Sequence, residues 1–154
     1  MAIHLIQFAA LTLLFLLSGV FWGSWFSIGR SFQEFTLNEF VHVAQIISRN
    51  LGVSMRIISI SCIILMVLSA WVLPKKSVGE FCLYLLSILL IISALLITVF
   101  VEVPMNNKII TWTMESAPSN WKDIRKRWQL YNTFRTLTSI LGFLTFVAIS
   151  LKSF

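Results

Sequence analysis

The stretch FCLYLLSILLIISALLITVFV, from Phe81 to Val101, carries no charged residue and decides the fold. A helix needs ~20 apolar residues to cross a hydrocarbon core of ~30 Å, and this stretch has that length. It is continuously apolar, without the two-residue alternation of a membrane barrel strand. Three further blocks of the same kind flank it. The first runs from about Leu5 to Ile28, with Gln7 as its one strongly polar residue, and the second from about Ile57 to Leu73. The last is charge-free from Leu137 to Leu151 and reaches spanning length if it begins near Leu130, which brings Asn132 and Arg135 into the membrane zone.

These blocks predict an all-α fold, an integral membrane antiparallel four-helix bundle with spans at about 5–28, 54–73, 79–101 and 130–151. Of 154 residues, 58% are hydrophobic and 12% charged, against about half and about a quarter in soluble domains. Little chain remains outside the spans, so residues 1–154 read as a single transmembrane domain. A cleaved signal peptide is not expected, because no Lys or Arg precedes the first apolar run and that run exceeds the usual length. Cys62 and Cys82 lie in apolar spans without metal-type spacing and read as packing residues.

The net charge of +6 is unevenly distributed. Lys75, Lys76 and Lys152 fall on the side of the termini and the second loop. Arg30, Arg49, Arg56, Lys108, Lys122, Arg125, Lys126 and Arg127 fall on the side of the first and third loops. The positive-inside rule then places both termini outside and loops one and three in the cytoplasm of a cell (inner) membrane. The run Lys122–Arg127 reads as a solvated face near anionic headgroups, and no nucleic-acid-reading module fits in the loops.

The loops have structure of their own. Thr36 to Leu51 is amphipathic, with Phe40, Val43, Ala44, Ile46 and Ile47 on one side and Glu39, His42, Gln45 and Arg49 on the other. It is expected as an interfacial helix in the first loop, capped by Thr36, with Glu39 completing a capping box, or by Asn38. Pro74-Lys75-Lys76-Ser77 reads as a tight turn. The third loop, Glu102 to Arg127, contains Pro104 and Pro118 and is expected to be partly ordered.

Polar residues recur at helical spacing within the spans. Gly19, Gly23 and Ser27 form a small-residue stripe that lets a neighbour approach, within the bundle or between copies of a homo-oligomer. Arg30 continues it. Arg49, Gly52, Arg56, Ser59, Met66 and Ser69 share a face of the second helix. Ser87, Ile91, Ala94, Thr98 and Glu102 share one on the third, extended by Asn106. Trp128, Asn132, Arg135, Ser139 and Gly142 share one on the fourth. Antiparallel packing brings Arg30, Arg56, Glu102, Asn106 and Asn107, Asn132 and Arg135 to the same end. An ionisable group in hydrocarbon costs at least ~2.5–3.5 kcal/mol unless paired or wetted, so such groups face the bundle interior. Two readings follow: a polar ligand pocket between helices, or a structural network in which Glu102 clips Arg135 while Arg30 and Arg56 snorkel to headgroups.

Tryptophans gather at this end. Trp25, Trp112 and Trp121 read as an interfacial belt, whereas Trp22 and Trp128 face the polar stripes and are candidates to wall a flat aromatic ligand. His4 and His42 lie at opposite ends, which argues against bis-histidine haem ligation, and no metal cluster, nucleotide loop or nucleophile elbow is visible.

Val103-Pro104-Met105-Asn106-Asn107-Lys108, then Trp112, Trp121, Arg127-Trp128, Asn132 and Arg135-Thr136, resemble the anthrone oxygenase-like family of small four-helix membrane proteins. The family pattern is Pro-x-Asn after the third helix and Trp-x-x-x-His-x-x-Arg entering the fourth, met here at Pro104, Asn106, Trp128 and Arg135. The resemblance implies oxidation of anthrones to anthraquinones by O2 without metal, flavin or other cofactor. Arg135 would face a developing oxyanion, Asn106 would donate a hydrogen bond, and Trp128 would stack. Where the pattern has His this chain has Asn132, which cannot serve as a general base; His42 is then the candidate. The competing function is a non-catalytic structural or accessory protein. A transporter ranks last, since no broken helices recur in repeated halves.

Overall fold

A computed structural model describes residues 2–72 and 77–153. Among them every element is helical: α1 (Ala2–Gly23), α2 (Leu37–Val72), α3 (Val78–Ile97), α4 (Val103–Ile109) and α5 (Trp121–Ser153). A π-helical segment, Ser24–Gly29, prolongs α1, and another, Thr98–Glu102, welds α3 to α4. The result is four rods, each long and apolar enough to cross a membrane: His4–Gly29, Leu37–Val72, Val78–Ile109 and Trp121–Leu151. The protein is thus an integral membrane four-helix bundle, as the apolar blocks predict.

Three element boundaries differ from the sequence reading. The amphipathic segment expected as a separate interfacial helix is the first part of α2, which runs unbroken for 36 residues. Gly52 is tolerated inside it, since one Gly in a helix costs only about 1 kcal/mol. The third rod passes through Pro104 instead of ending at Glu102. Proline lacks the N–H of a regular turn and its ring clashes with the carbonyl four residues back. The π segment immediately before α4 shifts the hydrogen-bond register there, so that Pro104 falls in a first turn. Finally, the fourth rod begins at Trp121 rather than near Leu130, so Lys122–Arg127 are helical. What remains of the third loop is the turn-rich connection 110–120, where Thr113 and Ser116 bond each other's backbone N–H.

The expected Thr36–Glu39 cap is present, and the structure adds a second one. Glu39 accepts from the Thr36 backbone N–H at 2.8 Å, and Ser77 and Glu80 form a reciprocal capping box on α3. The expected turn at Pro74–Lys76 lies outside the described residues.

Two cores stack along the bundle axis. The larger joins Ala10, Leu14, Leu17 and Phe21 of α1, Cys62 and Met66 of α2, Tyr84, Ile91 and Ala94 of α3, and Phe146 and Ile149 of α5. Here α3 and α5 come closest: a Cβ on Gly142 would lie 2.8 Å from Ile91 Cδ1, and Ser87 Oγ donates to the Gly142 carbonyl at 2.7 Å. Gln7 is accommodated by donating to the Tyr84 hydroxyl at 3.2 Å.

The second core caps the end that carries both long connections. Phe32, Phe40, Val41, Ala44, Ile109 and Trp128 form it, with the Phe32 ring 5.0 Å from Phe40 and 5.1 Å from Trp128. Rods of 36 and 33 residues exceed the ~20 a membrane needs, and their surplus builds this cap.

Two stripes turn out differently. Gly19 and Gly23 are exposed, and a Cβ on either would meet nothing within 4 Å. The contact face of α1 is Ala10, Leu14, Leu17 and Phe21, and two residues beyond Leu17 is about 200° around a helix. On α2, Ser59, Met66 and Ser69 are buried as expected, but Arg49, Gly52 and Arg56 are exposed. Cys62 lies in the core and Cys82 is exposed.

Candidate functional site

Between the two cores sits a network of buried polar side chains. Helical spacing puts Asn132, Arg135, Thr136 and Ser139 on the face that α5 turns inward, and all four are buried. Glu102, at the end of the second π segment, is 1% exposed and meets the Arg135 guanidinium in an ion pair. Arg135 Nη2 also donates to Asn132 Oδ1 at 2.6 Å. The third side of the guanidinium is the Phe21 ring, whose centroid lies 4.4 Å from Cζ, a cation–π contact at van der Waals range. Thr136 Oγ1 ties α5 to α1 through the Phe21 carbonyl at 3.2 Å. Ser18 Oγ repeats this a turn further on by donating to the Ser139 carbonyl at 3.2 Å.

The network leaves capacity unspent. Arg135 Nε, Asn132 Nδ2 and Glu102 Oε1 are buried and have no hydrogen-bond partner. Each such atom carries a desolvation cost of about 1–3 kcal/mol, so the cluster holds donors and an acceptor that a ligand or water would satisfy. Both π segments border it. Gly29 closes the first one, and a Cβ there would stand 3.4 Å from Asn132 Nδ2 and equally far from the Ser24 carbonyl. Isolated π turns frequently mark functional positions.

A shorter polar link lies next along the axis, where Trp128 Nε1 donates to Asn106 Oδ1 at 2.9 Å. Asn106 and Trp128 also line a small internal cavity of about 20 Å3 with Phe32, Phe40, Ala44 and Ile109, about the volume that admits one water. An open groove of about 360 Å3 lies elsewhere, against Phe26, Ile28, Arg30, Phe35 and Val43. Neither is lined by Glu102 or Arg135.

The remaining candidates stand apart from the ion pair. Trp22 is 46% exposed and packs on Trp25 and Phe26. Arg30 is exposed, with its guanidinium over the same Trp25 and Phe26 rings. Arg56, Asn107 and His42 are exposed. His42 is turned out because the cap is packed by its neighbours Phe40, Val41 and Ala44. Among the described residues no group of His, Cys, Asp and Glu is arranged to hold a metal.

Sequence reasoning overlooked Arg125. It is only 5% exposed, donates to the carbonyls of Phe35 at 2.9 Å and Gln33 at 3.2 Å, and stacks on Trp121 at 4.9 Å. It fastens the α1–α2 connection to α5 and does not belong to a solvated basic face. The one local signal is Trp121 four residues earlier, a neighbour on the helix surface. Phe21 was overlooked too, because it carries no charge, and Thr136 entered only as a neighbour of Arg135 in the family motif.

These features define a class: a small helical membrane protein whose buried ion pair sits at the junction of a membrane core and an aromatic cap. A family model described as anthrone oxygenase matches residues 45–145. That is well over half of the chain, and the chain belongs to the anthrone oxygenase family. The match includes Glu102, Asn106, Trp128, Asn132 and Arg135 and leaves out Trp22, Arg30 and His42. No curated protein and no solved structure matches the chain.

Proposed function

We propose that this chain is an anthrone oxygenase-like protein that takes a flat phenolic or quinone-like lipophile from the bilayer and oxidises it beside Arg135. The observation that carries the reading is the Arg135–Glu102–Asn132 cluster, buried within the family-matched region with Arg135 Nε and Asn132 Nδ2 still unpaired. In the overall reaction the anthrone methylene becomes a carbonyl. One oxygen atom of O2 enters the product and the other leaves as water, so no further reductant is consumed. The protein's part is to hold the substrate anion that gives an electron to O2. Arg135 and the Asn132 amide supply fixed positive charge and a donor for that anion, buried away from bulk solvent. Glu102 Oε1 serves as proton acceptor in the place of the family's histidine. This role passes to it from His42, which is exposed on the outer face of the cap, while Glu102 Oε1 is buried beside Arg135. Trp128, held by Asn106, acts as a wall.

A second reading is favoured by the absence of Glu102 and Arg135 from both cavities: the ion pair is a structural clip in an accessory protein. The two separate in one experiment. Replacing both partners, Glu102→Gln with Arg135→Met, removes the charges together and avoids a lone buried ion. With anthrone and O2 as probes, wild-type protein in mild detergent is expected to accelerate anthraquinone formation, and the folded double variant to return it to the uncatalysed rate. Equal rates for both proteins would favour the clip, and no acceleration by the wild type would overturn the oxygenase reading.

A further inference from the structure

The open groove beside the π segment of α1 has a composition unlike the buried network. Its walls include Phe26, Ile28, Phe35 and Val43, and its polar lining comes from Arg30, Ser27 and Ser31. The Ser27 and Ser31 hydroxyls donate to the backbone carbonyls of Gly23 and Ser27, at 2.6 and 2.9 Å. The groove's free donors are therefore those of Arg30.

Arg30 is an exposed cation that forms no ion pair among the described residues. The ion pairs of the described residues are Lys126–Asp123 and Arg135–Glu102. It is nevertheless held in place, with Cζ 5.1 Å from the Trp25 centroid and 4.9 Å from that of Phe26. Trp25 is itself anchored, since Nε1 donates to Thr133 Oγ1 on α5 at 2.9 Å. A guanidinium lying on two aromatic rings keeps its N–H edge free for an anion and has less rotamer freedom to lose on binding.

Depth agrees with this chemistry. The apolar run of α1 has used its ~20 residues by about Gly23, and at ~1.5 Å per residue Arg30 lies roughly 10 Å beyond. Lipid phosphates lie about 5–7 Å outside a ~30 Å core in a ~40–45 Å bilayer, a few ångström short of the Arg30 backbone and within the reach of its long side chain.

We infer that the groove at Arg30, Phe26 and Phe35 is a binding site for an anionic glycerophospholipid, with the phosphate on the Arg30 guanidinium and an acyl chain along the apolar walls. The occupant is a lipid and not a free phosphate ion because four of the groove's walls are apolar and would gain nothing from an inorganic anion. The site is independent of the Glu102–Arg135 cluster and of any oxidation there.

Native mass spectrometry of the full chain in mild detergent tests this with phosphatidylglycerol, phosphatidylcholine and inorganic phosphate as probes. Wild-type protein is expected to retain one phosphatidylglycerol in preference to phosphatidylcholine, undisturbed by millimolar phosphate. Arg30→Gln is expected to weaken retention about fivefold, the equivalent of ~1 kcal/mol for one basic residue at a lipid surface. Arg127→Gln, at another exposed cation, over Tyr131 and outside the groove, is expected to leave it unchanged. Should Arg30→Gln fail to fold, Ser31→Asp places a negative charge in the groove and is expected to abolish the preference. Equal loss in the Arg30 and Arg127 variants would show diffuse attraction and overturn the site. So would equal retention of the two lipids, or displacement of phosphatidylglycerol by inorganic phosphate.

Discussion

The two cores are built in different ways, the membrane core from all four rods and the cap from three of them and the connection that holds Phe32. The membrane core is aliphatic, with close helix contacts at Gly142 and single hydroxyls on neighbouring carbonyls. The cap is aromatic, with Phe32 at the centre of a ring cluster and side-chain hydrogen bonds linking distant segments. In lipid, apolar burial gives little drive to helix association, so contact depends on fit between small residues. Outside lipid, burying aromatic area is itself favourable. The difference teaches that one bundle combines two modes of packing, and the ion pair lies between them.

That comparison breaks most readily at the boundary. Arg135→Ala leaves Glu102 buried without its partner and is expected to cost about 3–5 kcal/mol, read as a large fall in Tm in detergent; the double replacement with Glu102→Gln is expected to recover most of it. In the cap, Phe32→Ala removes a ring that is 1% exposed and is expected to cost about 3–5 kcal/mol minus whatever the site recovers by collapse. Proteolysis of the 110–120 connection should accelerate in that variant if the cap opens separately from the membrane core.

Smaller effects sharpen the contrast. Gly142→Ala drives a methyl into Ile91 and is expected to cost about 1–3 kcal/mol, with Ile91→Val relieving the Cδ1 contact and recovering part of it, by thermal unfolding. Trp128→Phe forfeits the bond to Asn106 and is expected to cost about 1 kcal/mol; it should not add to Asn106→Ala if the two act as a pair. His42→Ala is expected to change both Tm and anthrone oxidation by less than ~0.5 kcal/mol. A loss of oxidation there would restore the histidine as the base.

The four rods were legible because a continuous apolar run of ~20 residues suits a membrane-spanning helix and little else. The inward faces of α3 and α5 were legible too: Ser87, Ile91, Ala94 and Glu102, and Asn132, Arg135, Ser139 and Gly142, pack inward as helical spacing predicts. The pairing of Glu102 with Arg135 follows from those two faces meeting at one depth. What escaped was set by distant partners. Arg125 is buried because chain some 90 residues earlier folds over it, and a basic run carries no mark of that. The two π segments leave no residue signature, so Pro104 read as an end when it is a first turn. The stripes of α1 and of the first part of α2 misled because small or alternating residues there admit more than one face. For the site, residue types were visible, whereas the separation of Arg30, Arg56, Trp22 and His42 from the ion pair needed coordinates.

The unbroken length of α2 has a mechanical consequence. At ~1.5 Å per residue its 36 residues form a rod of about 54 Å, threaded through both halves and without a proline. Spans adjust to bilayer thickness partly by tilting. A straight rod that pivots within the membrane moves its far end in proportion, so a change of tilt carries Phe40, Val41 and Ala44 sideways against Ile109 and Trp128. Such a rod would couple membrane thickness to the packing of the cap, and lipids of different chain length would then be a handle on residues beyond the membrane core.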